Sequence, residues 1–420
     1  MHDTRDFLDF LSRSPSSFHA AAELVRRFEE AGFRTQHRDE EWDEYPGGHV
    51  LRRDGAVIAW WVPEDASPRS GFRILGSHTD SPGFLLKPEP EILGHDVRQA
   101  AVEVYGGPII PSWFDRDLAF AGRVILTDGS EQLVHTGPIA RIPHLAIHLD
   151  RSGEFHPDRQ RDTQPLHALL DGGTPLLEHI AEGLEGHVQA KDICAYDLIT
   201  VDTQPPAIIG TDGQFIASGR LDNLSSVHAS LLAFLRAAQS EDAGEHILVY
   251  VANDHEEVGS NSPTGAAGPL LGEVLQRIAL SLGARPDEVF QMLSRSSCVS
   301  ADAAHAVHPN HPEKHDPTHL PRMGGGPVLK VNANQRYAST ARTSAILRRA
   351  CQAAGVALQV FAGNNSVPCG STIGPITATR LGIDTVDVGV PLLSMHSARE
   401  LMGVADQLSL ARALEAYLIG

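Results

Sequence analysis

Ile247-Leu-Val-Tyr-Val-Ala252, followed by Asn253-Asp-His-Glu-Glu-Val-Gly259, is the stretch on which the fold of this chain turns. Six consecutive apolar residues closed by polar ones predict a strand buried on both faces, as in a sheet covered by helices on either side. Two adjacent glutamates directly after such a strand belong at its carboxyl end, where open α/β sheets bind ligands. Neighbouring side chains point in different directions. One carboxylate can therefore hold a cation while the other faces an attacking water. An exposed acidic turn is the competing reading.

The α/β rhythm extends outward from this strand. A helical pattern runs over 223–238 before it, and strands are expected at 328–331, 358–361 and 385–390 after it. Nearer the start, Phe7, Leu8 and Leu11 form one apolar group at helical spacing, and Phe18, Ala21, Leu24, Val25 and Phe28 form another. Serines at 14–17 offer N-caps between them, and Gly32 stops the second helix. Strands at 57–62 and 72–75 follow. Between about 88 and 206 the texture changes to short β-type runs, such as 101–105 and 122–127, with a more helical part around 165–183. The organisation expected is an α/β domain in two pieces, 1–87 and 209–420, interrupted by a β-rich module at 88–208.

Composition narrows the function. The net charge of −19 and the lack of any lysine- or arginine-rich block speak against nucleic acid and anionic membranes as partners. No run approaches the ~20 apolar residues of a membrane helix. Asp3, Arg5, Asp6 and Asp9 leave no room for a signal peptide's apolar core. Four scattered cysteines form neither a disulfide framework nor a zinc knuckle, so a reducing cytoplasm is expected. Twenty-two histidines make metal ligation worth testing position by position.

Five positions carry that chemistry. His78 stands beyond the 72–75 strand, with Asp80 two residues on, where it can orient the imidazole of a metal ligand. Asp222 opens the 223–238 helix, as an N-cap or as a rigid carboxylate able to bridge two cations. The Glu256-Glu257 pair follows the buried strand, Asp302 follows the run 298–300, and His396 lies beyond the 385–390 strand. The histidines at 305, 308, 311, 315 and 319 sit among prolines in what reads as an irregular surface loop. Two His, two Asp and one Glu as ligands, with one Glu spare, suit zinc, cobalt or manganese in a hydrolytic site. The spare carboxylate would take a proton from the water and give it to the leaving amine.

Nine stretches, in order, give the chain a family likeness: His78-Thr-Asp-Ser-Pro, Ser112-Trp-Phe-Asp-Arg-Asp-Leu, Ile142-Pro-His-Leu-Ala-Ile-His-Leu, Arg220-Leu-Asp-Asn, Glu256-Glu-Val-Gly-Ser, Asp302-Ala-Ala-His-Ala-Val-His-Pro-Asn, Gln335-Arg-Tyr-Ala-Ser, Pro368-Cys-Gly-Ser-Thr-Ile-Gly-Pro and Met395-His-Ser. Spread over nearly the whole length, they resemble those of aspartyl aminopeptidases, dinuclear zinc metallopeptidases. The resemblance implies a three-layer α/β sandwich, with a mixed sheet flanked by helices, interrupted by a β-rich dimerisation domain. It also implies a homo-oligomeric shell of twelve subunits that admits short peptides with a free, acidic N-terminus. By the same resemblance, Asp222 bridges the ions, His78 and Asp302 complete one site, and Glu257 and His396 complete the other. Glu256 is the general base and Asp80 the partner of His78. His148 reaches into the neighbouring subunit's active site, although the residues around it alone would read as a buried strand. Lys330, His308 and Tyr337 contact substrate, Lys330 by meeting the acidic side chain of the substrate. His255 departs from the pattern, since Asn is expected there. A related dinuclear carboxypeptidase or amidase, an aminopeptidase of broader specificity, a peptide-binding shell and a metal-storing histidine loop are the alternatives.

Overall fold

Alternate side chains of the strand Ile247–Asn253 meet two different cores. Leu248, Tyr250 and Ala252 pack on one side, whereas Ile247, Val249 and Val251 pack on the other. That double burial is why the run is continuously apolar rather than alternating. The computed structural model describes residues 2–42, 46–240 and 244–420.

The strand lies inside a nine-stranded mixed sheet. Around it, Ile247–Asn253, Phe72–His78, Ser297–Ala301 and Asp384–Gly389 run parallel, in register from Asn253 beside His78 to Ala301 beside Val388. Their carboxyl ends therefore open on one edge. Antiparallel neighbours flank this block, with Ala56–Val62 on one side and Val328–Val331 on the other. The larger core lies under helices His2–Arg13, Ser17–Glu30, Leu221–Ala238, Ala341–Ala353 and Asp406–Ile419. The opposite face is covered by Leu270–Ser281 and Pro286–Ser294. Helix, sheet and helix make the three layers expected.

A second sheet of six strands carries its own core around Phe84, Trp113, Phe120 and Leu198. It begins at Gly83, so the strand Gly83–Gly94 runs through position 87. Its pairing with Val97–Tyr105 slips between Leu86 and Glu91, where Pro88 and Pro90 supply no N–H to the ladder. The region expected to be helical around 165–183 divides into strand Leu166–Leu169 and helix Leu176–Glu182. Gly172, with φ +72°, and Pro175 stand between the two and confine the helix to the end of the span. A small third sheet follows, its first two strands ahead of the helix Leu221–Ala238. In it Ala207–Ile209 pairs with Phe215–Ser218, which pairs with Glu400–Gly403.

Candidate metal centre

The four parallel strand ends deliver the predicted residues to one place. His78 is the last residue of its strand, Asp302 follows Ala301, and the glutamate pair forms the short 3-10 turn Glu256–Val258 beyond Asn253. His396 lies past Pro391–Leu393, at φ +67°. Asp222 enters from the start of Leu221–Ala238, but its φ and ψ are not helical. Its carboxylate is aimed at imidazoles: Oδ1 lies 3.6 Å from His78 Nε2 and Oδ2 lies 3.4 Å from His396 Nε2.

Of three candidate triads, one groups His78 with Glu256 and Glu257, and the other two share Asp222. His78, Asp222 and Asp302 form one, and His78 Nε2 is 3.4 Å from Asp302 Oδ1. Asp222, Glu257 and His396 form the other, and His396 Nε2 is 3.3 Å from Glu257 Oε2. Glu256 sits beside both, its Oε2 4.0 Å from His78 Nε2.

The environment suits cations. Asp222 Oδ1 and Glu257 Oε1 are buried and have no hydrogen-bond partner, an arrangement that is costly unless a metal takes the lone pairs. Burial, with Asp302 and Asp222 adding repulsion, pushes Glu256 up to about 7. Burial and the charge of Asp222 raise Glu257 well above its usual range. Burial would lower His396, yet the hydrogen bond to Asp222 and the charge of Glu257 lift it to about 10. A cluster that retains protons so strongly is one that a divalent ion would discharge, because metals and protons compete for the same atoms. Nitrogen and oxygen donors without thiolate fit zinc.

Asp80 organises the approach to this cluster. Its Oδ1 accepts the Glu256 N–H at 3.0 Å, and its Oδ2 accepts the Glu257 N–H at 3.0 Å and the Tyr105 hydroxyl at 2.8 Å. His78 Nδ1 is 3.1 Å from the Asp80 carbonyl and 3.4 Å from its carboxylate. Burial works against the charge on Asp80, but the hydrogen bond from His78 keeps its carboxyl below the ordinary range.

The motif Arg220-Leu-Asp-Asn is explained residue by residue. Arg220 donates to the carbonyls of Leu11 and Ser14, at the end of the first helix. Leu221 is core, and Asn223 donates to Ala301 O, next to Asp302.

Other predicted residues fall as follows. Lys330 is 1% exposed; its ammonium donates to Asp302 Oδ2 at 3.2 Å and Ala303 O at 3.1 Å, and lies 5.0 Å from the Tyr337 ring centroid. Tyr337 and His308 line a cavity of about 290 Å³ beside the centre, between the Ala306 and Met395 segments. Lys330 is not among its lining residues. His148 is exposed and lies outside any strand, so the local reading of a buried strand is corrected. Its neighbours Leu145, Ile147 and Leu149, at 62%, 74% and 75% exposure, supplied an apolar pattern that fills no core within this chain. His255 takes φ +59°, a conformation that Asn and His both tolerate better than most residues, and turns its ring to Ser262.

Three groups escaped sequence reasoning. Tyr105 and the Gly107 carbonyl, which lies 3.0 Å from His396 Nδ1, come from the end of the strand Val97–Tyr105 and the residues just after it. Glu400 is buried, accepting the Asp222 N–H at 3.0 Å and the His396 N–H at 2.7 Å. Only the spacing of Glu400 four residues after His396 was there to be noticed.

Residues 10–418 match the family model described as aminopeptidase I zinc metalloprotease (M18). The chain belongs to the M18 family. It is 48% identical over 423 residues to a probable M18 family aminopeptidase 2 of Streptomyces avermitilis, covering 99% of this chain and 98% of that one. A counterpart from Pseudomonas entomophila is 43% identical, over 98% of this chain and 96% of its own. Among solved structures, the cryo-EM structure of an Ape4 and Nbr1 complex superposes with a TM-score of 0.95 at 34% identity, covering 99% of this chain and 85% of that one. The M18 aminopeptidase of Thermotoga maritima gives 0.86 at 25%, covering 99% and 95%. An S. cerevisiae mApe1 dodecamer gives 0.85 at 25%, covering 99% and 97%. This M18 chain is thus a metallo-aminopeptidase, a hydrolase acting on peptides. Among the described residues no helix is long and apolar enough to cross a membrane.

Proposed function

We propose that this chain removes single residues, preferably Asp or Glu, from the free N-terminus of short peptides, using two divalent ions, and does so in the cytoplasm as a homo-oligomer. The observation that carries the two-ion reading is Asp222, whose two oxygens face two different histidines at 3.6 and 3.4 Å, each with its own further carboxylate. His78, Asp222 and Asp302 would hold one ion, and Asp222, Glu257 and His396 the other. Zinc is the family's metal, and cobalt or manganese suits the same donors.

Ions held there would polarise the scissile carbonyl and bring the pKa of a shared water towards neutrality. Glu256, beside both triads and bound to neither in this reading, takes the water's proton and passes it to the leaving amine. Asp80 steadies Glu256 through its main-chain N–H, at 3.0 Å. His148, on the exposed apolar loop of the insert, would reach a neighbouring subunit's cleft and donate to the developing oxyanion. The exposure of Leu145, Ile147 and Leu149 supports the β-rich module at 88–208 as the dimerisation domain, since such a patch calls for a cover. The yeast dodecamer supports a twelve-subunit shell.

Support for acidic preference comes from the lining of the 290 Å³ cavity. It contains Lys314, His305, His308 and His315 and no Asp or Glu, in a chain with 53 acidic residues. Lys330 adds its charge from behind Tyr337. Its engagement with Asp302 favours, as a second reading, an aminopeptidase of broader specificity.

The test compares aspartyl, glutamyl, leucyl and lysyl peptides, free and N-acetylated, at saturating zinc or cobalt, with Glu256→Gln alongside. Turnover confined to free N-termini, fastest on Asp and Glu and lost in the variant, is expected. Cleavage of acetylated peptides, or activity surviving in the variant, would sink the mechanism. Equal rates on all free N-termini would remove only the acidic preference.

A further inference from the structure

We propose that Glu400 is a positioning residue that sets the affinity of the ion held by Asp222, Glu257 and His396 more than that of its neighbour, an inference resting on the two-ion reading above. Glu400 is 2% exposed and opens the strand Glu400–Gly403, which pairs with Phe215–Ser218, the strand leading to Asp222. Its Oε2 accepts the Asp222 N–H at 3.0 Å and its Oε1 accepts the His396 N–H at 2.7 Å. One rigid carboxylate thus fixes the main chain of two ligands that arrive from segments 174 residues apart, 222 and 396.

Both clamped residues need such a hold. His396 follows Ser394, and the two have φ of +67° and +58°; Arg220, two residues before Asp222, has φ +62°. These left-handed conformations are unfavourable for residues with a Cβ, so local propensity does not keep either loop in place. The His396 ring is fixed at its far side by the Gly107 carbonyl, 3.0 Å from Nδ1. With Glu400 on the main chain and Gly107 on the ring, Nε2 is directed at Asp222 and Glu257. Asp222 has no comparable side-chain anchor, since Oδ1 is unpartnered.

The asymmetry follows from counting ligands. In the triad Asp222, Glu257 and His396, Glu400 holds two of three members; in His78, Asp222 and Asp302 it holds one. Residues that orient metal ligands from outside are worth ~10–100-fold in metal affinity when removed.

Glu400→Gln keeps the size and burial but offers one acceptor and one NH₂, so one of the two main-chain N–H groups loses its partner. Zinc content and affinity would be measured on the full-length protein by elemental analysis and by titration against a competing chelator, with circular dichroism as the fold control. The expected result is two ions per wild-type chain and, in Glu400→Gln, two ions of unequal affinity, one weakened at least ~10-fold and the other distinctly less. Activity should return as free zinc is raised. Two ions held with wild-type affinity, or both weakened alike, would overturn the proposal. A wild-type chain binding fewer than two ions would overturn instead the two-ion reading on which it rests. Should Glu400→Gln fail to fold, Glu400→Asp, which keeps both oxygens but withdraws them by one methylene, must show the same unequal loss, and both ions weakened alike there would refute the idea.

Discussion

Replacing Asp80 by Asn probes the centre without touching a proposed ligand. Three donors lie within 3.0 Å of the carboxylate, Glu256 N–H on Oδ1 and Glu257 N–H with the Tyr105 hydroxyl on Oδ2, while His78 Nδ1 stands further off, 3.4 Å from Oδ1. An amide of the same shape can serve only one side. With its oxygen at Oδ2, the amide keeps two donors and turns NH₂ on the Glu256 N–H. The reverse orientation turns NH₂ on both Glu257 N–H and Tyr105, and only the hydroxyl can rotate to accept. Either orientation therefore leaves one main-chain N–H of the glutamate pair facing an NH₂, and the turn that carries Glu256 is loosened. An unmet buried N–H costs ~1–3 kcal/mol, which should appear as lower unfolding free energy of the metal-free protein in urea. His78 keeps the Asp80 carbonyl at 3.1 Å, so zinc affinity should fall only towards the lower end of the ~10–100-fold expected for lost support of a ligand. Displacement of the base should cut kcat by at least ~10-fold at saturating zinc, within the ~10²–10⁴-fold that general-base catalysis provides. Steady-state kinetics at graded zinc separates these two effects. A variant with wild-type kcat at saturating zinc and wild-type urea stability would refute the reasoning, because three hydrogen bonds to a 3%-exposed carboxylate would then carry nothing.

Further outcomes follow from the same geometry. Phe234→Ala should destabilise the chain by ~3–5 kcal/mol in denaturant unfolding, since the ring is fully buried and packs edge-on against Phe28 at 5.8 Å. Lys314→Ala should raise KM for aspartyl peptides and leave leucyl peptides unchanged, because Lys314 lines the acid-free cavity; equal changes on both would remove it from specificity. Acid should loosen the first helix. His228, whose pKa burial lowers from the ordinary 6.5, stays neutral in the fold, so stability is full above about 6.5 and declines below it as the unfolded chain takes up the proton. Asp6, held below the ordinary 3.8 chiefly by its 2.8 Å hydrogen bond with His228, adds stability above about 3.8 that is lost as pH falls further. Melting temperatures measured between pH 4 and 8 should fall toward acid, and the slope should flatten in His228→Gln; an unchanged slope would dismiss this pair as its source.

Much of the centre was legible because its residues end strands. A continuous apolar run reports double burial, and the polar residues after it must lie at the sheet's edge, so the glutamate pair, Asp302 and His78 announced themselves. His396 was readable in the same way, one short segment further on. The six-stranded second sheet coincides with a change of texture in the sequence, but its first strand was not legible, since Pro88 and Pro90 interrupt the pattern while the backbone continues to Gly94. His148 misled local reading because an apolar alternation looks alike whether it is covered by the chain's own core or lies exposed at 62–75% beside it.

The sequence by itself carried the α/β alternation, the doubly buried central strand and the candidate ligand residues, because burial periodicity and donor chemistry are properties of neighbouring residues. Only the tertiary structure decided how those groups are held. Glu400 is brought to Asp222 by the pairing of Glu400–Gly403 with Phe215–Ser218, Tyr105 and Gly107 reach Asp80 and His396 from the end of a strand of another sheet, and Lys330 finds Asp302 from a strand two places away in the main sheet. Hydrogen bonds act over about 3 Å whatever the separation along the chain, so contacts made between distant segments leave no pattern in one-dimensional spacing.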